Sequence, residues 1–215
     1  MDPYADHALV CSCKGDRTLR HNRVRDVAFE DACEARMSPE REKPGLLPGR
    51  PHEDGIHCDS HGEARRPADV WLPRGMSSTC GRPEALDFAV TCGLTSDKVW
   101  KSAESPHVLF EDYCDFKRQY KDTGQLCSNQ GLVFTPLVFE AHGGGFGPDV
   151  LRIFDAISKR QASSGFRCKE GNSLRIAQRV STAIHMANSR AILKRLPSTS
   201  PRTRVPDLAA ADEDA

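Results

Sequence analysis

No apolar run in the chain approaches the ~20 residues that a membrane-crossing helix needs, so no segment reads as a span. Its start, MDPYADHALV, lacks a basic region followed by an apolar one, and no signal peptide is expected. There is no net charge: 30 Lys and Arg balance 30 Asp and Glu, so any attraction for a polyanion must come from local asymmetry. There is no internal repeat. The nine cysteines are odd in number and form no framework. Without an export signal, reduced thiols in an intracellular compartment are expected. Two enzyme classes drop out for want of residues. HGGG (142–145) suits the oxyanion loop of some esterases, but no G-x-S-x-G elbow exists, and the nearest candidate, GNSLR, ends in Arg175. No GK[ST] follows the glycines, which excludes a phosphate loop. They read instead as a sharp exit from a strand, where positive φ is needed.

What is present suits one soluble domain with looser segments: 215 residues, 38% hydrophobic and 28% charged. Val24, Val27, Ala28, Ala32 and Ala35 recur at helical spacing and predict a helix over 21–36. Strands are expected at 40–48, around Val70–Leu72 within RRPADVWLP, at 85–93 and at 131–141. Pro136 cannot donate to a ladder and marks the last of these as an edge or a bulge. Helices are expected over 105–123, 149–161 and 173–196, the last with Ile176, Val180, Ala183, Ile184, Ala187 and Ala191 on its apolar face. Residues 1–20 read as a capping or zinc-binding loop, 49–66 as an inserted loop and 197–215 as a disordered tail. The order of elements predicts an α/β sandwich with a mixed central sheet of about four strands flanked by helices.

RRPADVWLP carries an acid, Asp69, at the mouth of an apolar strand, where an unpaired carboxylate is costly. A second acid, Asp87, sits among the strand formers of ALDFAVT. Two neighbouring strands, each presenting one carboxylate, can hold one Mg²⁺ together with water and phosphate oxygens, and the Phe88 carbonyl is a further donor. Glu30 is the chosen third acid from the first helix, with Asp31 its competitor. The bland alternative pairs Asp69 and Asp87 with Arg65, Arg66 or Arg82 at strand ends.

Between Arg152 and Arg204 stand twelve Lys and Arg and only two acids, Asp155 and Glu170. This asymmetry points to nucleic acid through Arg175, Arg179, Arg190 and Lys194, or to a solvated helical face. His7, Cys11, Cys13 and His21 offer Zn²⁺ ligands, although H-x3-C-x-C-x7-H is not a standard knuckle. His52, His57, Cys58 and His61 fall in the inserted loop and are not read as a metal site.

A helix acid, then Pro67-Ala68-Asp69, then Asp87 in the next strand resembles the PD-(D/E)XK restriction-like nuclease fold. DPYADHALVC, RHNRVRD (20–26), RRPADVWLP, ALDFAVT, FKRQY (116–120) and FTPLVFEAHGGG (134–145) are similar, in order, to segments of the restriction-like endonuclease domain of non-LTR retrotransposon proteins. That resemblance spans residues 4–195. It implies Mg²⁺-dependent hydrolysis of DNA phosphodiesters, a nuclear setting and a reverse transcriptase domain encoded elsewhere. It also implies a lysine at the scissile phosphate. The family's strand lysine is missing, because Asp87-Phe88 is followed by Ala89. In the retrotransposon branch it comes from the following helix, where Lys117 stands. The implied catalytic set is Glu30, Asp69, Asp87 and Lys117. The alternative is a catalytically inactive, nucleic-acid-binding remnant.

Overall fold

A computed structural model describes residues 6–10, 15–47, 67–74, 81–95, 98–165 and 167–195. The inserted loop, the tail, Cys11, Cys13, Arg65 and Arg66 lie outside the described residues. The chain is a mixed α/β protein: an open sheet of four strands with helices packed on it, as the order of sequence elements predicts.

A short helix α1 (Asp6–Val10) precedes α2 (Asp16–Glu34). The sequence pattern placed this helix's start at residue 21 and read residues 1–20 as loop. The pattern missed the first turn of α2 because no apolar stripe holds it. Asp16 is buried there and paired with Lys194 Nζ at 3.1 Å and Arg195 Nη1 at 2.6 Å, both remote in sequence. β1 (Glu40–Arg41) is only two residues long, β2 (Val70–Leu72) three, and β3 (Glu84–Thr91) eight. The chain then crosses over through α3 (Val99–Glu104), α4 (Pro106–Gln119) and α5 (Thr123–Asn129) before β4 (Val133–Glu140). Pro106 opens α4, where a missing N–H costs nothing. α6 (Pro148–Ser163) and α7 (Lys169–Leu193) complete the fold.

The strands lie in the order β1-β2-β3-β4. β1, β2 and β3 pair antiparallel, with Val70 opposite Leu86; β3 and β4 pair parallel, with Asp87 opposite Pro136. β4 is therefore the edge that Pro136 demands. The long crossover is what a parallel pair requires.

Side chains alternate across β3, and its two faces meet different partners. Phe88 and Phe139 point into the main core with Val24, Ile153, Ile176, Val180 and Ile184 from α2, α6 and α7. Every residue of the expected apolar face of α7 is buried. On the opposite face Ala89 and Val138 pack against Phe110 and Cys114 of α4. Truncating Phe88 to Ala would cost about 3–5 kcal/mol, so that side of β3 holds the fold together. The α4 side holds Asp87.

Candidate active site

β2 stops early, and this positions the first acid. Continuing its register backward would set Ala68 opposite Phe88. Instead the Phe88 N–H donates to Asp69 Oδ2 at 2.7 Å, so a side-chain carboxylate takes over from the ladder. Phe88 N–H and C=O leave β3 on the same edge, which turns the Phe88 carbonyl toward Asp69 as well. His21 of α2 reaches the same oxygen, with Nε2 3.0 Å from Asp69 Oδ2 and Nδ1 3.2 Å from Asn22 Oδ1. The hydrogen bond with Asp69 raises the His21 pKa above its ordinary 6.5, and the Asp87 charge adds to that.

Asp87 is met from the other layer. Lys117 of α4 brings Nζ to 2.8 Å from Asp87 Oδ2, an ion pair in which the side chains are 25% and 18% exposed. Burial lifts the Asp87 carboxyl above the usual carboxylate range, and the nearby Asp69 charge lifts it further, against the pull of Lys117. Burial alone would lower the Lys117 ammonium; the Asp87 charge overcomes it and raises the pKa. The two directions are compatible, because Asp87 is the more enclosed partner and carries more of the desolvation cost.

These residues back onto a cleft of about 290 Å³ lined by Arg17, Arg20, His21, Phe88, Tyr113 and Lys117, among others. Its charged lining is cationic, and the two aspartates stand behind their cationic partners. A neighbouring hollow of about 280 Å³ between α3 and α4 is walled mostly by apolar groups and lacks both aspartates.

Asp69, Asp87 and Lys117 thus come together, and Glu30 does not join them. Nine residues separate Glu30 from His21, which is two and a half helical turns: roughly 13 Å along α2 and on its opposite side. Glu30 is 54% exposed and ion-paired with Arg179 Nη2. Asp31, the competitor, is fully buried and held by Arg175 Nη2 at 2.7 Å and Arg179 Nη1 at 2.8 Å. No third acid, histidine or cysteine among the described residues closes with Asp69 and Asp87 into a group whose ligand atoms all lie within 4.8 Å.

Two further sets of expected site residues meet partners within the protein. Arg175 and Arg179 are part-exposed and lock α7 to Glu30, Asp31 and Glu34 of α2. Lys194 is likewise paired, with Asp16, whereas Arg190 is exposed. The acids that pair with Arg175, Arg179 and Lys194 lie about 140 residues or more earlier in the chain, so a local count of charge could not find them. His21 is not placed for Zn²⁺ with His7: both its ring nitrogens face oxygen atoms of Asp69 and Asn22. His7 is exposed on α1, and Cys11 lies outside the described residues.

By chemical type the donors suit Mg²⁺: two carboxylates and a carbonyl are hard oxygen ligands, and a cation would offset both the burial and the Asp69 charge that raise the Asp87 carboxyl. No family model, no curated protein and no solved structure matches this chain.

Proposed function

We propose that this chain is a restriction-like endonuclease domain of the non-LTR retrotransposon type, hydrolysing DNA phosphodiesters with Mg²⁺ in a nuclear setting. The observation that carries the reading is the Lys117–Asp87 pair. The strand lacks the lysine this chemistry requires, and a lysine from α4 stands at the strand acid instead.

Asp69 and Asp87, with the Phe88 carbonyl beside them, would hold Mg²⁺. When bound, the ion lowers the pKa of a water and neutralises charge on the phosphate. Lys117 orients the attacking water or stabilises the charge that develops on phosphorus oxygens. His21 fixes the Asp69 carboxylate, leaving its second oxygen for the site. Arg17 and Arg20, with His21 and Lys117, make the cleft attractive to a phosphodiester backbone. A DNA path through this cleft replaces the path over α7, and a reverse transcriptase encoded elsewhere would be the functional partner.

A plasmid-nicking assay with the full chain tests the reading. Nicking that requires Mg²⁺ and stops with EDTA is expected. Nicking that is absent at every Mg²⁺ concentration would leave an inactive DNA-binding remnant, and in that case the cleft should still retard duplex DNA.

A further inference from the structure

A second cluster lies at the far end of the β3–β4 pair. Cys92 follows β3, Glu140 ends β4, and His142 opens the HGGG turn. Their ligand atoms all lie within 4.8 Å of one another, the one such trio among the described residues. The site is separate from the aspartate pair: Cys92 is five residues beyond Asp87, roughly 16 Å along the strand. We propose that Cys92, Glu140 and His142 bind a zinc-type divalent cation that clasps the ends of β3 and β4 to the turn at 142–145.

The donor set selects the ion. A thiolate, an imidazole and a carboxylate suit Zn²⁺, whereas Mg²⁺ takes oxygen donors. Thiolate and carboxylate together balance the charge of the ion. Cys92 is 5% exposed and His142, at 45%, opens to solvent, so the trio has a buried anchor and an entry path.

The geometry is close to what a metal needs. His142 Nδ1 lies 2.5 Å from Glu140 Oε1, and the His142 N–H donates to Glu140 Oε2 at 2.7 Å. Ligands of a tetrahedral zinc stand roughly 3.3 Å apart, so the ring must open from Glu140 by less than an ångström as the ion replaces the proton between them. Three protein ligands leave the fourth position to water.

The turn is shaped around these residues. A Cβ on Gly145 would stand 2.6 Å from Glu140 Cβ, so only glycine lets the chain close over that side chain. Gly143 has φ +84° and would press a Cβ to 3.0 Å from His185 Nε2. The same turn is tied to α7 through Ser181 Oγ donating to the Gly143 carbonyl at 2.5 Å and Asn188 Nδ2 donating to the Ala141 carbonyl at 2.7 Å. An ion here would therefore stiffen the junction of sheet, turn and α7. Metal affinity should rise with pH, because the thiol proton is displaced.

The experiment is Co²⁺ titration of the metal-free full chain, read by thiolate-to-cobalt charge transfer and by the d–d bands of tetrahedral cobalt. A single equivalent should develop both features, Zn²⁺ should bleach them, and excess Mg²⁺ should not. Cys92→Ser should abolish the charge-transfer band. His142→Gln, at an exposed position that threatens no packing, should abolish or greatly weaken the tetrahedral signal while circular dichroism stays that of the parent. The double variant Cys11→Ser, Cys13→Ser should keep both. Absence of any charge-transfer band overturns the proposal. So does a band that survives both Cys92→Ser and His142→Gln, or one lost only in the Cys11, Cys13 variant.

Discussion

Lys117 reaches from α4 to within 2.8 Å of Asp87 on β3, so the cation and the acid come from different layers of the fold. If this pair is catalytic, Lys117→Ala should lower the nicking rate by about 10²–10³-fold, the usual cost of losing one charge-stabilising donor. DNA affinity should change little. Parent-rate nicking by the variant would remove the lysine from the mechanism.

Asp87→Asn separates chemistry from folding. Burial raises the Asp87 carboxyl, so its charged form costs the folded state free energy at every pH above the unfolded value of 3.8. The amide removes that cost, offsetting the lost partner of Lys117. Nicking should vanish while Tm at neutral pH holds or rises and DNA binding is kept. A variant that both nicks and melts like the parent would sink the metal assignment.

The His21–Asp69 contact carries a pH signature. The folded pKa of His21 is raised above 6.5, so the stabilisation is fully present below 6.5 and is lost as pH climbs through the higher folded value. Urea unfolding of parent and His21→Gln should differ by about 1 kcal/mol at the acid end, since solvent screens a half-buried pair, and the gap should close at alkaline pH. A gap independent of pH would assign the contact to packing alone.

Arg175 and Arg179 predict a loss of stability instead of a loss of DNA contacts. Replacing both with Ala leaves Asp31 as an uncompensated buried charge, at a cost of about 3–5 kcal/mol. The salt dependence of DNA affinity should keep its slope. A slope flattened by about 2 in the log–log plot, with stability intact, would return the DNA path to α7.

How far the sequence could be read follows from the range of each interaction. Helix α7 was legible because its stripe from Ile176 to Ala191 is a local, periodic signal. Pro136 was legible as an edge residue because the missing N–H is its own property. Asp69 and Asp87 stood out as acids among β-formers, again locally. What escaped was long-range: Asp16 with Lys194 and Arg195, Asp31 with Arg175 and Arg179, and His21 with Asp69. The helices α3 and α5 are six and seven residues long, too short to show a period.

The brevity of β2 has a consequence of its own. Hairpins usually gain by growing, since each added pair satisfies main-chain groups and covers more core. Here a longer β2 would hand Phe88 an ordinary backbone partner and push the Asp69 carboxylate out of the edge it occupies. Pro67, with no N–H to offer, lies one residue beyond Ala68, the position that this growth would set opposite Phe88. Sequence changes that make this sheet more regular would therefore erase the site while leaving a sound protein behind, and a stability screen alone would score them as improvements.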